Sequence, residues 1–342
     1  MVDYVVQQLD DVALLDAVVV DGMSLMSPFV WREGDHYRMM VRGVPCPLTP
    51  TNPTGVIAIG NGTDGLNFTM EPKLAITAGP ESADAGGCED PTVVVTNDGY
   101  LVYYTGVDAA RRQGSLILEG GKTLDTLEAK QLVLQAPPGE GNIKEATLAQ
   151  TASGDWRLFY EYAANDASRI GMASGPAPDG PWTAVGDPFG IRDDSWDNWH
   201  LSTGPMTQIA GEDPVMFYNG ATHDARWRIG WISFDPDFKT VTGRGIEPLL
   251  VPPPATDRES TDIAFAASTL IEATRSRSIT RWRTASCDAH SSTAIPNDQP
   301  SEQSVSTDTP AIDRKLRPMR LQRHIESDAE RDGQTDTDGE NS

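Results

Sequence analysis

The sequence predicts an all-β protein, a five-bladed β-propeller whose fifth blade is incomplete. Three observations carry this. Five segments share one pattern: a small or acidic residue, an apolar run, a polar turn and an aromatic-rich strand. Their starts at residues 27, 89, 144, 202 and 261 are separated by 62, 55, 58 and 59 residues. Between them lie further short strand pairs with Gly, Asp and Asn at the turns. Four strands per unit at a period of about 60 residues is a propeller signature, whereas a two-sheet sandwich explains the strands but not the period.

The first unit runs from Ser27-Pro28-Phe29-Val30 to Tyr37–Arg42, then to Gly55–Gly60 and Asp64–Phe68. The second joins Glu89-Asp90-Pro91 and Thr92–Val95 to Tyr100–Thr105. The third joins Lys144–Leu148 to Trp156–Glu161, then Arg169–Ser174 and Gly180-Pro181-Trp182. The fourth joins Ser202–Met206 to Val215–Asn219, then Trp227–Ile232 and Asp237-Phe238. The fifth begins at Thr261-Asp262-Ile263-Ala264-Phe265, after which the pattern is lost.

In a propeller the first strand of each blade lines the central channel. Residues at its start therefore converge, which groups Ser27, Asp90, Glu145, Thr203 and Asp262 at one mouth. Carboxylates gathered there can serve as acid and base on a sugar acetal. The competing reading is that these acids only cap strands and turns.

Composition bounds the remaining classes. Among 342 residues, 50 acidic and 27 basic side chains give a net charge of −23. That argues against nucleic acid, whose phosphates need clustered Lys and Arg. Only six of the 27 basic residues are lysine, a balance expected of a protein kept soluble in concentrated salt, and a salt-rich cytoplasm is the expected setting. No apolar run is long enough to span a membrane, and Met1–Asp10 does not read as a secretory signal. Cys46, Cys88 and Cys287 are too few and scattered for a zinc site, and His200 and His223 have no partner at metal-ligand spacing. No metal and no cofactor is expected.

Residues 1–272 form the expected catalytic propeller. From Ala273 onward the chain is Ser/Thr/Asp/Gln-rich, with 10 basic and 12 acidic residues and few large apolar ones. Such a segment buries too little to offset its ordering entropy, so 273–342 is expected to be disordered. Because the change interrupts a unit, a shifted reading frame near Glu272 is one explanation; a natural tail is the other.

These residues resemble glycoside hydrolase family 130, five-bladed propellers acting on β-mannosides. Gly87-Cys88-Glu89-Asp90-Pro91 is similar to the family's Glu-Asp-Pro-Arg motif, and Val41-Arg42-Gly43 to its Tyr-Arg-Ala. Ile57-Ala58-Ile59 with Asp64–Phe68 resembles its Asp-Gly hairpin, Lys144-Glu145-Ala146 its Lys-Asp-Ala, and Tyr218-Asn219-Gly220 its Tyr-His-Gly. The likeness covers roughly residues 25–272. It implies that Asp90 is the proton donor, through a sugar hydroxyl, and that Arg42, Asp64, Lys144 and Asn219 contact substrate. Asp262 joins them by position. A donor near neutral pH needs a raised pKa, which Glu89 or Glu145 could impose.

The departures favour water over phosphate. Thr92 replaces the motif's Arg, Tyr160-Glu161 replaces a His-Arg pair, and Asn219 replaces a His. A dianion site needs those donors. The expectation is an inverting glycosidase on β-linked mannosides or related oligosaccharides, with Asp90 as acid, Glu161 as candidate base and Glu145 beside them. The alternatives are a phosphorylase, an arabinan- or fructan-type hydrolase, which would need a carboxylate where Ser27 stands, and a non-catalytic or decayed sugar-binding propeller. Trp196–His200 is a further candidate, as a stacking platform.

Overall fold

The computed structural model describes residues 2–137, 141–252, 263–272, 275–283 and 316–325. Among them, two 3-10 turns, Ala17–Val20 and Leu124–Thr126, are the only helical elements; the rest of the regular structure is strand. The architecture is a β-propeller.

The first sheet orders Met23–Glu33, His36–Pro45, Val56–Gly62 and Asn67–Ile76, with Ala13–Leu15 added parallel at its edge. The second runs Gly87–Thr96, Gly99–Val107, Gly114–Gly121 and Glu128–Gln135. The third runs Ile143–Gln150, Trp156–Ala164, Ala167–Gly175 and Thr183–Gly186. Local chemistry sets these hairpins. Ala164 pairs with Ala167 across Asn165 and Asp166, which sit at φ 52° and 58°, the left-handed pair a two-residue hairpin needs.

The fourth unit is split. His200–Ser202, Asn219–Ala221 and Arg228–Ile229 form one small sheet; Met206–Thr207, Val215–Met216, Ile232–Phe234 and Val241–Arg244 form another. The chain passes from one to the other at Thr203-Gly204-Pro205, Phe217-Tyr218 and Gly230-Trp231, so the two small sheets form one interrupted blade.

The fifth sheet orders Ile263–Glu272, Arg275–Arg283, Leu316–Ile325 and, outermost, the N-terminal Val2–Leu9. This differs from the expectation of an unfinished last blade and a structureless tail. Three of its four strands come from the chain ends, two of them beyond residue 272. The expectation weighed apolar content, but a ladder between neighbours also satisfies backbone N–H and C=O groups. Residues 284–315 and 326–342 lie outside the described residues.

Among the described residues, five apolar clusters fill the spaces between successive sheets. Trp31, Met40 and Ile59 meet Cys88, Val102 and Tyr104 between the first and second. Tyr103 and Leu116 meet Leu158 and Ala173 between the second and third. Phe159 and Ile170 meet Leu201 and Tyr218, and Phe217 and Trp231 meet Ala264 and Ala266. Leu270 of the fifth sheet joins Val30, Val41 and Phe68 of the first, which closes the ring.

Candidate active site

The site is built by a repeated backbone defect. In the first three sheets the innermost strand carries two residues opposite one, between Met26 and Phe29, Glu89 and Thr92, and Lys144 and Thr147. The first bulged residue is left-handed in each: Ser27 at φ 49°, Asp90 at 51°, Glu145 at 57°. Non-glycine residues there carry a cost of roughly 1–3 kcal/mol each, a strain that clusters at functional sites.

Hydroxyls fix the register between blades. Thr92 Oγ1 donates to the Ala146 carbonyl at 2.7 Å, Thr147 Oγ1 to Gly204 at 3.0 Å and Ser268 Oγ to Pro28 at 2.8 Å. Each donor stands two residues past its ring position. Ser268 therefore makes Ala266, not Asp262, the counterpart of Asp90 and Glu145. The five ring residues are Ser27, Asp90, Glu145, Thr203 and Ala266. The expected member Asp262 lies outside the described residues. The signal in the sequence is the hydroxyl two residues past the ring position, in Thr92, Thr147 and Ser268.

Asp90 is buried. Its Oδ1 accepts from Ser27 Oγ at 2.5 Å and lies 3.4 Å from Arg42 Nη1. The Arg42 Nη2 group donates to Glu89 Oε1 at 2.5 Å and to the Thr54 carbonyl at 3.0 Å. Lys144 Nζ sits 3.4 Å from Glu161 Oε1, which also accepts from Ser168 Oγ at 2.9 Å. Glu145 hydrogen-bonds Asp90 and is tied by its backbone, its N–H to Thr105 Oγ1 and its carbonyl to Thr203 Oγ1. Asp90, Glu145, Glu161, Arg42 and Lys144 are thus brought together with Glu89.

Electrostatics divides the carboxyls. Burial works to raise Asp90, but Arg42, the Ser27 hydroxyl and Lys144 outweigh it and hold its carboxyl below the usual range. Burial, with Asp90 and Glu161 close by, pushes Glu145 well above its ordinary value. Burial also raises Glu89 despite Arg42. The two carboxyls are in contact and titrate as a pair, with Asp90 drawn down by its cationic and hydroxyl neighbours and Glu145 pushed up by burial. This differs from the sequence expectation that Asp90 itself carries the raised pKa, because Arg42 and Ser27 select Asp90. Glu161 and the other carboxylates raise Lys144 against burial, so it stays charged.

Two expected contacts fall elsewhere. Asp64 is exposed and caps its own hairpin, accepting from the Leu66 and Asn67 backbone N–H groups at 2.9 and 2.8 Å. Arg42 pairs with Met26 at one end of the first sheet, while Gly62, two residues before Asp64, pairs with Tyr37 at the other. Asn219 is fully buried with its amide consumed. It donates to the Thr203 and Ala266 carbonyls at 2.6 and 3.2 Å and accepts from Ala266 N–H at 2.7 Å. It clasps the fourth blade to the fifth, as an amide can and a histidine cannot.

The Trp196–His200 segment is divided too. Trp196 stacks on Tyr218 with centroids 5.5 Å apart and donates from Nε1 to the Ile246 carbonyl, which makes it part of the blade. Asp197 is buried between Arg192, Arg244 and the Tyr218 hydroxyl. His200 is buried beside Glu161, with Nδ1 accepting from Ser168 N–H at 3.2 Å, and burial lowers its pKa. Among the described residues no group of His, Cys, Asp and Glu has the arrangement of a metal site, and no helix is long and apolar enough to cross a membrane.

This arrangement of strands has close counterparts among solved structures. The β-1,2-mannobiose phosphorylase of Listeria innocua, in complex with β-1,2-mannobiose, superposes with a TM-score of 0.62 at 16% identity, over 88% of this chain and 91% of that one. The fold is like that of glycoside hydrolase family 130. A second structure, described with family-130 hydrolases that target β-1,2 mannosidic linkages in Candida mannan, gives 0.59 at 15% identity over 75% and 80% of the two chains. A thermostable family-43 glycoside hydrolase gives 0.60 at 12% identity over 92% and 94%. At these identities the likeness concerns the fold. No family model matches the sequence, and no curated protein matches it.

Proposed function

We propose that this chain is a carbohydrate-active enzyme that hydrolyses β-linked mannosides or related oligosaccharides with inversion. One observation carries the reading: among the described residues the channel mouth holds two cations, Arg42 and Lys144, beside four carboxyls, and both cations are already paired with them. Arg42 is shared by Glu89 and Asp90, and Lys144 faces Glu161. An incoming phosphate dianion would meet excess negative charge there, which favours water as the nucleophile.

In this reading the Asp90–Glu145 pair supplies the acid. Glu145 holds the proton; Asp90, fixed by Ser27 and Arg42, is the point of delivery to the leaving oxygen. Glu161 takes a proton from the attacking water, and the bond from the anomeric carbon to the leaving oxygen breaks. Ser168 and Lys144 orient Glu161. Glycosidic neighbours of the same fold support the substrate class.

The test is sugar release from β-1,2-mannobiose in concentrated KCl, with and without inorganic phosphate. Release without phosphate, giving the α-anomer first by NMR, is expected. Strict dependence on phosphate overturns hydrolysis, and release with retention overturns inversion.

A further inference from the structure

The same ring that carries the carboxyls continues differently through the fourth and fifth blades. One residue before each ring position stand Met26, Glu89, Lys144, Ser202 and Phe265. Phe265 thus takes the place that Glu89 and Lys144 occupy, and it is only partly buried. From it a file of rings leads outward. Phe265 meets Trp227 edge-on at 5.4 Å, Trp227 meets His200 at 5.5 Å, His200 meets Trp199 at 6.4 Å, and Trp199 stacks on His223 at 3.5 Å. Trp199 and Trp227 are partly buried and His223 is exposed. The file is anchored to the acidic half, since the His200 ring accepts from the residue whose hydroxyl binds Glu161.

A core does not need this arrangement. The apolar clusters between blades use Trp231, Phe217 and Leu201, and none of them includes Phe265, Trp227 or Trp199. Large rings left half open beside a catalytic mouth offer flat apolar faces. The C–H faces of a pyranose fit such a surface, while its hydroxyls stay at the rim.

We propose that Phe265, Trp227 and Trp199 form a stacking subsite for the sugar units beyond the scissile bond, so that the substrate is an oligosaccharide extending over the fourth blade. The proposal rests on the reading of the mouth as a glycosidase site. The acidic half contacts the reacting ring and its leaving oxygen, and the aromatic half holds the remainder of the chain. Longer substrates therefore gain affinity here that a disaccharide does not.

The experiment compares β-1,2-mannobiose with β-1,2-mannotetraose. Hydrolysis is measured in the parent and in Trp227→Ala and Phe265→Ala, and binding by calorimetry in the same variants placed on Asp90→Asn. The expected result is a rise in KM for the tetraose of about tenfold, kcat near the parent value, and a much smaller change for the biose. Trp227→Phe and Phe265→Tyr, which keep a ring, restore most of the affinity. Equal effects on both substrates, or none, overturn the subsite. If the parent cleaves neither sugar yet binds the tetraose through these rings, the enzymatic reading fails and the subsite stands. Thermal melts identify a variant that does not fold, and Trp227→Leu and Phe265→Leu, which keep apolar volume without a ring, then decide: unchanged discrimination between the two sugars in both overturns the proposal.

Discussion

Blades one to three and blades four and five reach the same channel with opposite chemistry. On the first side, Ser27, Asp90 and Glu145 sit in left-handed bulges, and charged residues flank them. On the second, Thr203 and Ala266 have no positive φ, and aromatic rings and a buried amide stand where charges would be. One backbone position thus hosts a strained acid in one blade and a relaxed alanine in another. The comparison teaches that the fold supplies equivalent places, while strain and charge mark which of them do chemistry.

The sharpest break in that comparison comes from the acid pair. Asp90→Asn or Glu145→Gln is expected to lower sugar release by about 10²–10⁴-fold, the usual worth of a general acid. The parent's activity should fall as pH rises through the raised Glu145 pKa, because only the protonated form is competent. That alkaline limb should be absent from the residual activity of Glu145→Gln; its persistence would assign the proton elsewhere.

Arg42→Met should come next. It leaves Glu89 and Asp90 as buried, uncompensated charges and is expected to cost about 3–5 kcal/mol in denaturant unfolding. A cost near zero would mean that the two carboxyls are solvated and that the charged half is an ordinary surface. On the other side, Asn219→Leu strands the Ala266 N–H and two carbonyls, with an expected loss of about 3 kcal/mol. At a temperature where the variant remains folded, KM should be unchanged. A raised KM would return Asn219 to the substrate contacts that the sequence comparison assigned it.

The smallest effect concerns stability and pH. Because the folded pKa of Glu145 is raised, its contribution to stability is complete below the unfolded carboxylate range and is lost as pH rises through the folded value. Glu145→Gln removes a charge that is unfavourable when buried. It should therefore stabilise the protein at neutral to alkaline pH, with the gain vanishing in acid. Melting curves across pH check this; a uniform destabilisation at every pH would contradict it.

Much of the fold was legible. The apolar runs after Ser27, Asp90, Glu145 and Thr203 became inner strands because period-two patterning and turn residues act locally. The fifth unit was misplaced by four residues, since its flat run Ile263–Leu270 offers no acid or proline at the bulge. Ser268 bonding to Pro28, 240 residues away, and Asn219 bonding to Ala266 fix it. Asp64 and Asn219 were assigned through motif likeness. Their side chains are instead taken up by backbone groups, a demand visible only when the neighbouring strands are in place.

By itself the sequence determined the repeating strands and their turns, and it put Asp90 and Glu145 at the starts of inner strands, because these follow from residues a few positions apart. Tertiary structure decided that Asp90 is held low while Glu145 is pushed up, that Asn219 clasps the fourth blade to the fifth, and that Phe265 meets Trp227. Each depends on charges and donors contributed by different blades, and Coulomb energy and desolvation depend on distance in space, not along the chain.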